Sequence, residues 1–209
     1  MMFNNQGLFI SFEGQEASGK STQIKLLQKF FKNKNIPFIL TREPGGTSVS
    51  EKLRKIILDK KRLISTTEEI LLLMSSRLNH INRVIKPALK DGKIVITDRF
   101  ADSTFVYQGF VNNYGLKKTM DLHKELLSNF LPSKTFLFLL PVSEINKRLK
   151  KRKITNKYDK IDTLFHSKVI SGYKKLSNNS KRFIKINAEL EVDKIQETVL
   201  KSIKKLLRY

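Results

Sequence analysis

Residues 8–22 have the residue types and spacing of a phosphate-binding loop. They read LFISFEGQEASGKST, in which Gly14, Gly19, Lys20 and Ser21 fit the pattern G-x-x-x-x-G-K-[ST]. Glycines let backbone N–H groups approach a polyphosphate closely, the lysine places a positive charge beside its outer phosphates, and the serine hydroxyl can bind Mg²⁺. The segment therefore predicts binding of a nucleoside triphosphate.

The residues on either side of this loop predict the elements that must hold it. Residues 8–12 form a short apolar run typical of a buried strand. From residue 22 onward, apolar side chains recur at helical spacing, namely Ile24, Leu27, Phe30 and Phe31. A glycine turn with an incidental lysine is the simpler alternative. The order of strand, loop and helix favours a phosphate site, because the helix N-terminus adds positive potential there.

Two more segments with charged residues directly follow apolar runs. Residues 36–41 (IPFILT) precede Arg42 and a turn-rich segment that extends to residue 47, and residues 93–98 (KIVITD) end at Asp98 and lead into Arg99. We expect the second strand to pair beside the first. Since ligands of open parallel sheets bind beyond the carboxyl ends of the strands, segments 13–21, 42–47 and 98–108 should form one crevice.

Further apolar runs at 135–140 and 182–187 complete a set of five predicted strands. The helical segments expected between and after them are 48–58, 66–90, 118–130, 142–151, 162–177 and a terminal helix, with Thr66 or Thr67 capping the long one. The sequence thus predicts an α/β fold with three layers, in which helices flank a five-stranded parallel sheet. We expect a single domain over residues 1–209.

The long helix carries an arginine on its apolar face. That face consists of Ile70, Met74, Arg77, Ile81 and Ile85. Because an unpaired buried guanidinium is costly, Arg77 should face either an internal carboxylate or an anionic ligand. His80, three residues later, is expected to lie on the surface or to make an ordinary polar contact.

The composition excludes several classes of protein. The 209 residues include no cysteine, which excludes disulfides and thiolate metal sites and fits a reducing, cytoplasmic compartment. No apolar run is long enough for a membrane span, so no membrane association is expected. The formal net charge of +22 would attract polyanions, but the lysines are spread over polar faces and the dense run at 147–153 lacks stacking aromatics. We therefore expect no specific nucleic-acid partner.

A phosphate-binding loop alone is also compatible with guanine-nucleotide switches. Their base-reading pattern N-K-x-D occurs at residues 156–159, but there it lies in a basic polar stretch with no apolar strand before it. Arg42 and Arg99, in contrast, directly follow predicted strands, where they would face a second site for an anion. This layout favours phosphoryl transfer between nucleotides.

Three segments carry a resemblance to a known family. FEGQEASGKST, TREPGGT and DRFADSTFVYQG resemble the signature segments of bacterial thymidylate kinases, in that order and spacing, and weaker similarity covers nearly the whole chain. The resemblance implies a P-loop kinase fold and ATP-dependent phosphorylation of dTMP. It also implies a requirement for Mg²⁺ and a homodimer.

The resemblance assigns roles on the donor side. Lys20 would stabilise charge during transfer, Glu16 would lie near the transferred phosphoryl group, and Ser21 and Asp98 would bind Mg²⁺. Arg99 would bridge the donor and acceptor phosphates. The residues that would hold ATP are Gly14, Gln15, Glu16, Ala17, Ser18, Gly19, Lys20, Ser21 and Thr22.

On the acceptor side, the resemblance places Arg42 on the phosphate of dTMP and Arg77 near the thymine. Ser103 and Gln108 would contact the base, and Tyr107 would press against C2′ of the sugar and disfavour a ribose hydroxyl. Many relatives have a stacking phenylalanine where this chain has Leu73. Base stacking should therefore be weaker here, with Met74 as a possible compensation.

Residues 148–162 are expected either to form a mobile basic lid over the phosphates or to be a solvated loop. Relatives often have Asp-Arg in this region where residues 159–160 read Asp-Lys. The resemblance therefore leaves Arg148 and Arg152 as candidates for the transition-state arginine; of the two, we assign the catalytic role to Arg152.

Two other functions remain open at this point. Leu73 makes another pyrimidine nucleotide or deoxynucleoside kinase conceivable. A protein of a different class, which binds nucleic acid under nucleotide control without catalysis, would use the basic surface instead.

Overall fold

The structure, a computed structural model, describes residues 7–59, 61, 63–150, 163–178 and 180–207. The strands are β1 Leu8–Gly14, β2 Phe38–Arg42, β3 Ile94–Asp98, β4 Lys134–Leu139 and β5 Phe183–Asn187. The helices are α1 Lys20–Asn33, α2 Ser48–Leu58, α3 Thr66–His80, α4 Lys86–Lys90, α5 Ala101–Thr104, α6 Leu116–Leu127, α7 Val142–Lys150, α8 Thr163–Ser177 and α9 Val192–Leu207. Segments Ile81–Ile85 and Phe105–Val111 are π-helical.

The sheet has five parallel strands in the order β2-β3-β1-β4-β5, which confirms the predicted fold class. The expectation that the second strand pairs beside the first was wrong, because β3 lies between them. The burial of the two strands agrees with this order. The first four residues of β3 are all buried, whereas no residue of β2 is fully buried, as expected for an inner strand and an edge strand.

Side chains on the two faces of β1 enter two separate apolar clusters. Ile10 and Phe12 pack in one cluster with Leu27 of α1 and Val199 of α9. Phe9 packs on the opposite face, in a cluster that includes residues of α3 and α4. This alternation places helices on both sides of the sheet and confirms the predicted three layers.

The long helical segment begins at Thr66 as expected, but its N-cap differs from the prediction and its winding changes near its end. Ser65, rather than Thr66 or Thr67, is the N-cap: its hydroxyl accepts from the Glu68 N–H, and the Glu68 carboxylate accepts from the Ser65 N–H. At Ile81–Ile85 the winding becomes π-helical before α4, which has a proline in its first turn. Because proline has no N–H to donate, a local change of winding there is expected.

Several sequence predictions fall close to the observed bounds, and one falls outside the structure. Helix α2 spans the predicted residues 48–58. Arg152 and residues 151–162 of the expected lid, including Asp159 and Lys160, lie outside the described residues. Among the helices that the structure describes, none combines the length and the apolar character required to cross a membrane.

Candidate active site

The loop after β1 depends on two glycines for its path. At Gly14 φ is 134°, and a Cβ there would lie 2.3 Å from the backbone oxygen of Phe138 on β4. Gly19 has a φ of 90° and leads directly into α1. Between them the loop turns back over Lys20, whose ammonium donates to the backbone oxygens of Gly14 at 3.1 Å and Gln15 at 2.7 Å. The predicted loop is therefore formed, and its backbone oxygens hold the ammonium of Lys20 in place.

The electrostatics of this loop favour an anion. No side chain caps the N-terminus of α1, so backbone N–H groups of its first turn remain available to a ligand. The Lys20 ammonium is buried, and burial together with the nearby charge of Arg99 lowers the pKa of Lys20 to about 8. A phosphate group placed here would restore the charged form of Lys20.

Ser21, in the first turn of α1, meets Asp98 because β1, which leads into the loop before α1, pairs with β3. The Ser21 hydroxyl donates to Oδ2 of Asp98 at 3.1 Å, at the carboxyl ends of β1 and β3. A hydroxyl and a carboxylate are oxygen ligands of the kind that Mg²⁺ prefers, and Mg²⁺ normally keeps several waters or phosphate oxygens besides them. Among the described residues no group of three or more acidic, histidine or cysteine side chains is arranged to hold a metal. A metal here would depend on these two side chains and on phosphate oxygens of the bound nucleotides.

Arg99 lies between the loop and the segment after β3. Its φ of 68° places its backbone in the left-handed region, where its N–H donates to the Phe12 oxygen at 3.0 Å. Its guanidinium donates to Oε1 of Glu16 at 2.6 Å and to Oγ of Ser103 at 3.0 Å, and it lies 5.1 Å from the centre of the Tyr107 ring. Arg99 thus connects the phosphate loop to the third predicted segment.

Tyr107 completes the contact between these segments. Its hydroxyl donates to both carboxylate oxygens of Glu16, at 3.2 and 3.0 Å. Burial raises the pKa of Tyr107 well above its ordinary value, so the phenol remains a proton donor at neutral pH. Glu16, Arg99 and Tyr107 therefore form one hydrogen-bonded group beside the loop.

A narrow cavity opens next to this group, with a volume of about 70 Å³. It is enclosed by the turn after β2, the end of α2, one face of α3 and residues 99–108. The predicted acceptor residues that line it are Leu73, Arg77, Arg99, Ser103, Tyr107 and Gln108. The sequence prediction of one crevice is in agreement with this arrangement, since Glu16 and the turn residues Glu43 and Pro44 also line it.

The buried Arg77 is paired with an internal carboxylate. Its Nε donates to Oε2 of Glu43 at 2.7 Å and its Nη2 donates to the Thr104 hydroxyl at 2.8 Å. The other oxygen of Glu43 lies 2.9 Å from Nδ1 of His80, so the histidine makes a polar contact and is fully buried. Of the two partners considered for Arg77, the structure contains the carboxylate, and the same arginine also borders the cavity.

Arg42 lies outside the set of residues that line this cavity. Its Nη2 donates to both oxygens of Glu51 at 3.0 Å, and more than half of its side chain is exposed. The N–H of Gly46 donates to the same carboxylate, and Arg54 donates to the backbone oxygen of Pro44 at 2.7 Å. Two cations therefore flank the turn after β2, where the resemblance expects a phosphate.

A second cavity, of about 340 Å³, lies on the other side of the phosphate loop. It is lined by loop and α1 residues, by Arg148 of α7 and by the segment that enters α9; the lining residues are Ala17, Ser18, Gly19, Thr22, Gln23, Arg148, Glu189, Leu190, Glu191, Val192 and Ile195. Arg148 donates to the backbone oxygens of Ala17 at 3.3 Å and Ala188 at 2.9 Å. The loop thus separates two cavities, and Arg148 is fastened beside it.

Sequence reasoning missed two carboxylates at this site. Glu43 lies in the segment TREPGGT, in which only its neighbour Arg42 was assigned a role, that of binding the acceptor phosphate. Glu13 is the one charged residue in the apolar run before the loop, and it is fully buried. A charged residue at a position where the strand pattern demands burial was the available signal for Glu13.

Comparisons with known proteins agree with the geometry. Residues 12–199 match the family model described as thymidylate kinase. A thymidylate kinase from Thermoanaerobacter sp. (strain X514) is 39% identical over 203 residues, which cover 97% of this chain and 100% of the relative. Thymidylate kinases from Rickettsia canadensis (strain McKiel) and Clostridium novyi (strain NT) are each 40% identical over 200 residues, covering 95% and 93% of this chain and 98% and 97% of the relatives. The chain therefore belongs to the thymidylate kinase family, as its three signature segments predicted.

Proposed function

We propose that this crevice transfers the γ-phosphoryl group of ATP to dTMP and forms dTDP. Membership of the thymidylate kinase family supports the reaction. The observation that carries the proposal at the residue level is the position of Arg99. It lines the acceptor cavity, and its guanidinium lies 2.6 Å from Glu16 in the phosphate loop. A cation in that place can contact the phosphates of both nucleotides.

On the donor side, the loop residues 14–22 bind the phosphates of ATP through backbone N–H groups, and Lys20 neutralises charge on the outer phosphates. The nucleoside part of ATP occupies the second cavity, which adjoins the same loop. Arg148 borders that cavity, and its guanidinium is held beside the loop by the backbone oxygens of Ala17 and Ala188. Arg152, our other candidate for a transition-state arginine, stays a prediction.

Ser21 and Asp98 hold Mg²⁺, through a hydroxyl and a carboxylate that lie 3.1 Å apart. The metal, when bound, neutralises the phosphates and aligns the reacting groups. Glu16 lies on the same side of the loop and is already paired with Arg99. It therefore sets the position of that arginine near the transferred group.

The acceptor cavity suits a planar pyrimidine nucleotide. Leu73 supplies an apolar wall to the base, while Arg77 and Gln108 present donors to its polar edge. Tyr107 closes the cavity on the sugar side, and Arg42 binds the phosphate from the turn after β2. Because the attacking oxygen of dTMP already belongs to a phosphate, alignment and charge neutralisation contribute more than a strong base.

We also propose that the chain forms a homodimer in the cytoplasm, as a single domain over 1–209. The family expectation of a dimer is supported by exposed apolar side chains on helices that pack side by side: Val49 on α2, Leu71 and Leu78 on α3, and Met120 and Leu126 on α6. A second copy of the chain would cover them. The absence of cysteine from the sequence fits a reducing compartment.

A coupled assay that follows ADP release tests the reaction with purified protein, ATP and Mg²⁺. We expect turnover with dTMP to exceed turnover with dUMP, CMP and UMP. Faster turnover with one of the other acceptors would assign the chain to a different substrate. Absence of any kinase activity, together with ATP-dependent retention of DNA, would favour the nucleic-acid-binding alternative.

A further inference from the structure

Glu13 is a fully buried carboxylate directly behind the acceptor cavity. It accepts three hydrogen bonds, from the Phe100 N–H at 2.6 Å, the Ser103 hydroxyl at 2.6 Å and the Tyr173 hydroxyl at 2.9 Å. Phe100 and Ser103 themselves line the cavity. One side chain at the end of β1 therefore joins the start of α5 to α8.

Two of these three donors are close to Arg99: one follows it directly in the chain and the other contacts its side chain. Arg99 adopts a φ of 68°, a conformation that is unfavourable for a residue with a side chain and persists only when its surroundings hold it. The next N–H along the chain, that of Phe100, donates to Glu13. The Ser103 hydroxyl accepts from the Arg99 guanidinium at 3.0 Å and donates to Glu13. Glu13 thus contacts both the N–H that directly follows Arg99 and the side-chain partner of Arg99.

We propose that Glu13 is a positioning residue for phosphoryl transfer, which holds Arg99 in its bridging orientation through the Phe100 N–H and the Ser103 hydroxyl. The inference rests on the role that the proposed function gives to Arg99. Without the carboxylate, the Phe100 N–H loses its partner and the Ser103 hydroxyl loses the acceptor that orients it towards Arg99. The orientation in which the Arg99 guanidinium donates to Glu16 is then no longer held from this side.

The ionised form of Glu13 is the one that can accept all three bonds, because a protonated carboxyl must use one oxygen as a donor. Burial, followed by the nearby charge of Asp102, raises the pKa of Glu13 to about 7. The opposing cations are Arg99, Lys20 on α1 and Arg182, which is paired with Asp102; Tyr173 faces Glu13 from α8. As pH falls through about 7, Glu13 gains a proton and the hold on Arg99 weakens.

The first test is Glu13→Gln, which keeps the size of the side chain and removes one of its two acceptor atoms. We expect kcat to fall about 10–100-fold, as is typical when a supporting residue is lost. The KM for ATP should change little, since the loop backbone is intact. In the unmodified protein, kcat should fall as pH drops below about 7. This acid limb of the pH profile should disappear in Glu13→Gln.

Two further variants move this limb in opposite directions while Glu13 stays in place. Tyr173→Phe removes one donor to the carboxylate, so the limb should shift to higher pH. Asp102→Asn removes the negative charge that raises the pKa of Glu13, so the limb should shift to lower pH. A residue with a purely structural role would not produce these opposite shifts.

Arg99→Ala separates this inference from the proposed function. A normal rate for Arg99→Ala would remove the role on which the inference rests. A large loss for Arg99→Ala, combined with a wild-type kcat and pH profile for a folded Glu13→Gln, would overturn the positioning role and leave the proposed function intact. Circular dichroism checks folding. If Glu13→Gln does not fold, limbs that stay in place in Tyr173→Phe and Asp102→Asn would overturn the inference.

Discussion

Lys20 and Arg99 place two positive charges in the same buried region, and the charge of Arg99 contributes to the lowered pKa of Lys20. Such a pair is unfavourable without anions between or beside the cations. Glu16 balances Arg99 directly, whereas Lys20 donates mainly to uncharged backbone oxygens. Lys20 is therefore the residue whose charge should respond most to the arrival of phosphates.

We predict that ATP binding takes up a proton at Lys20. In the free protein the pKa of Lys20 is about 8, lowered by burial and by Arg99, so much of the population is neutral above that pH. The phosphates of ATP stabilise the ammonium and raise this pKa, so protons are bound together with ATP at about pH 8.5. Isothermal titration calorimetry in two buffers of different ionisation enthalpy measures the number of protons.

The matched variant for this experiment is Lys20→Met, which cannot take a proton at this position. It should bind ATP more weakly, and its residual binding should show the same heat in both buffers. Proton uptake that persists in Lys20→Met would have to be assigned to another group. Equal heats in the unmodified protein would contradict the prediction.

At the scale of elements, Glu43 joins the turn after β2 to α3 and thereby shapes the acceptor cavity. Its carboxylate receives Arg77 on one oxygen and His80 on the other, and all three side chains are buried. Glu43→Gln would leave the Arg77 charge without its partner. Since breaking a buried ion pair in this way is strongly destabilising, we expect a loss of about 3–5 kcal/mol in the free energy of unfolding, measured by urea denaturation.

The exposed pair of Arg42 and Glu51 provides the control on the same turn. Its side chains are 55% and 39% exposed, so Glu51→Gln should cost less than about 1 kcal/mol. We also expect Glu43→Gln to raise the KM for dTMP, because Arg77 loses the contact that orients it in the cavity. Equal stability losses for the two variants would show that the buried network does not behave as described.

Helix α3 also carries Leu73, which replaces the aromatic residue expected for stacking on the base. Leu73 is nearly buried and lines the acceptor cavity. Leu73→Phe should tighten dTMP binding about 2–10-fold, the range expected from one additional aromatic contact. Leu164→Phe, at an exposed position on α8 away from the cavity, is the control and should leave dTMP binding unchanged. Weaker binding by Leu73→Phe, measured by calorimetry, would mean that the narrow cavity has no room for the ring.

The elements were predictable from the sequence where the signal was local. The apolar spacing of residues 48–58 gave both ends of α2, and the glycines and Lys20 gave the loop. Long-range contacts were not predictable in this way. Sheet order depends on which strands bury both faces, and the contact between Glu13 and Tyr173 joins residues 160 positions apart. No periodicity within one segment carries that information.

At the scale of the whole molecule, the proposed dimer makes a direct prediction. Leu71 and Leu78 lie one heptad apart on α3 and both are exposed in the single chain. Replacing both with aspartate should convert a dimer into a monomer, measured by light scattering after size exclusion. Leu164→Asp, at an exposed position on α8, should leave the dimer intact. A wild-type chain that elutes as a monomer at micromolar concentration would contradict the proposal.

The order of strands has a consequence for the synthesis of the chain. Strands β1 and β2 are made first, but they do not pair with each other, and each requires β3, which ends at Asp98. A ribosome that has made the first ninety residues therefore carries two apolar strands whose hydrogen-bonding edges have no native neighbour. Such edges invite pairing with other chains. Slow translation before β3 has emerged from the ribosome should thus favour aggregation, whereas a pause after β3 has emerged would let the first three strands assemble.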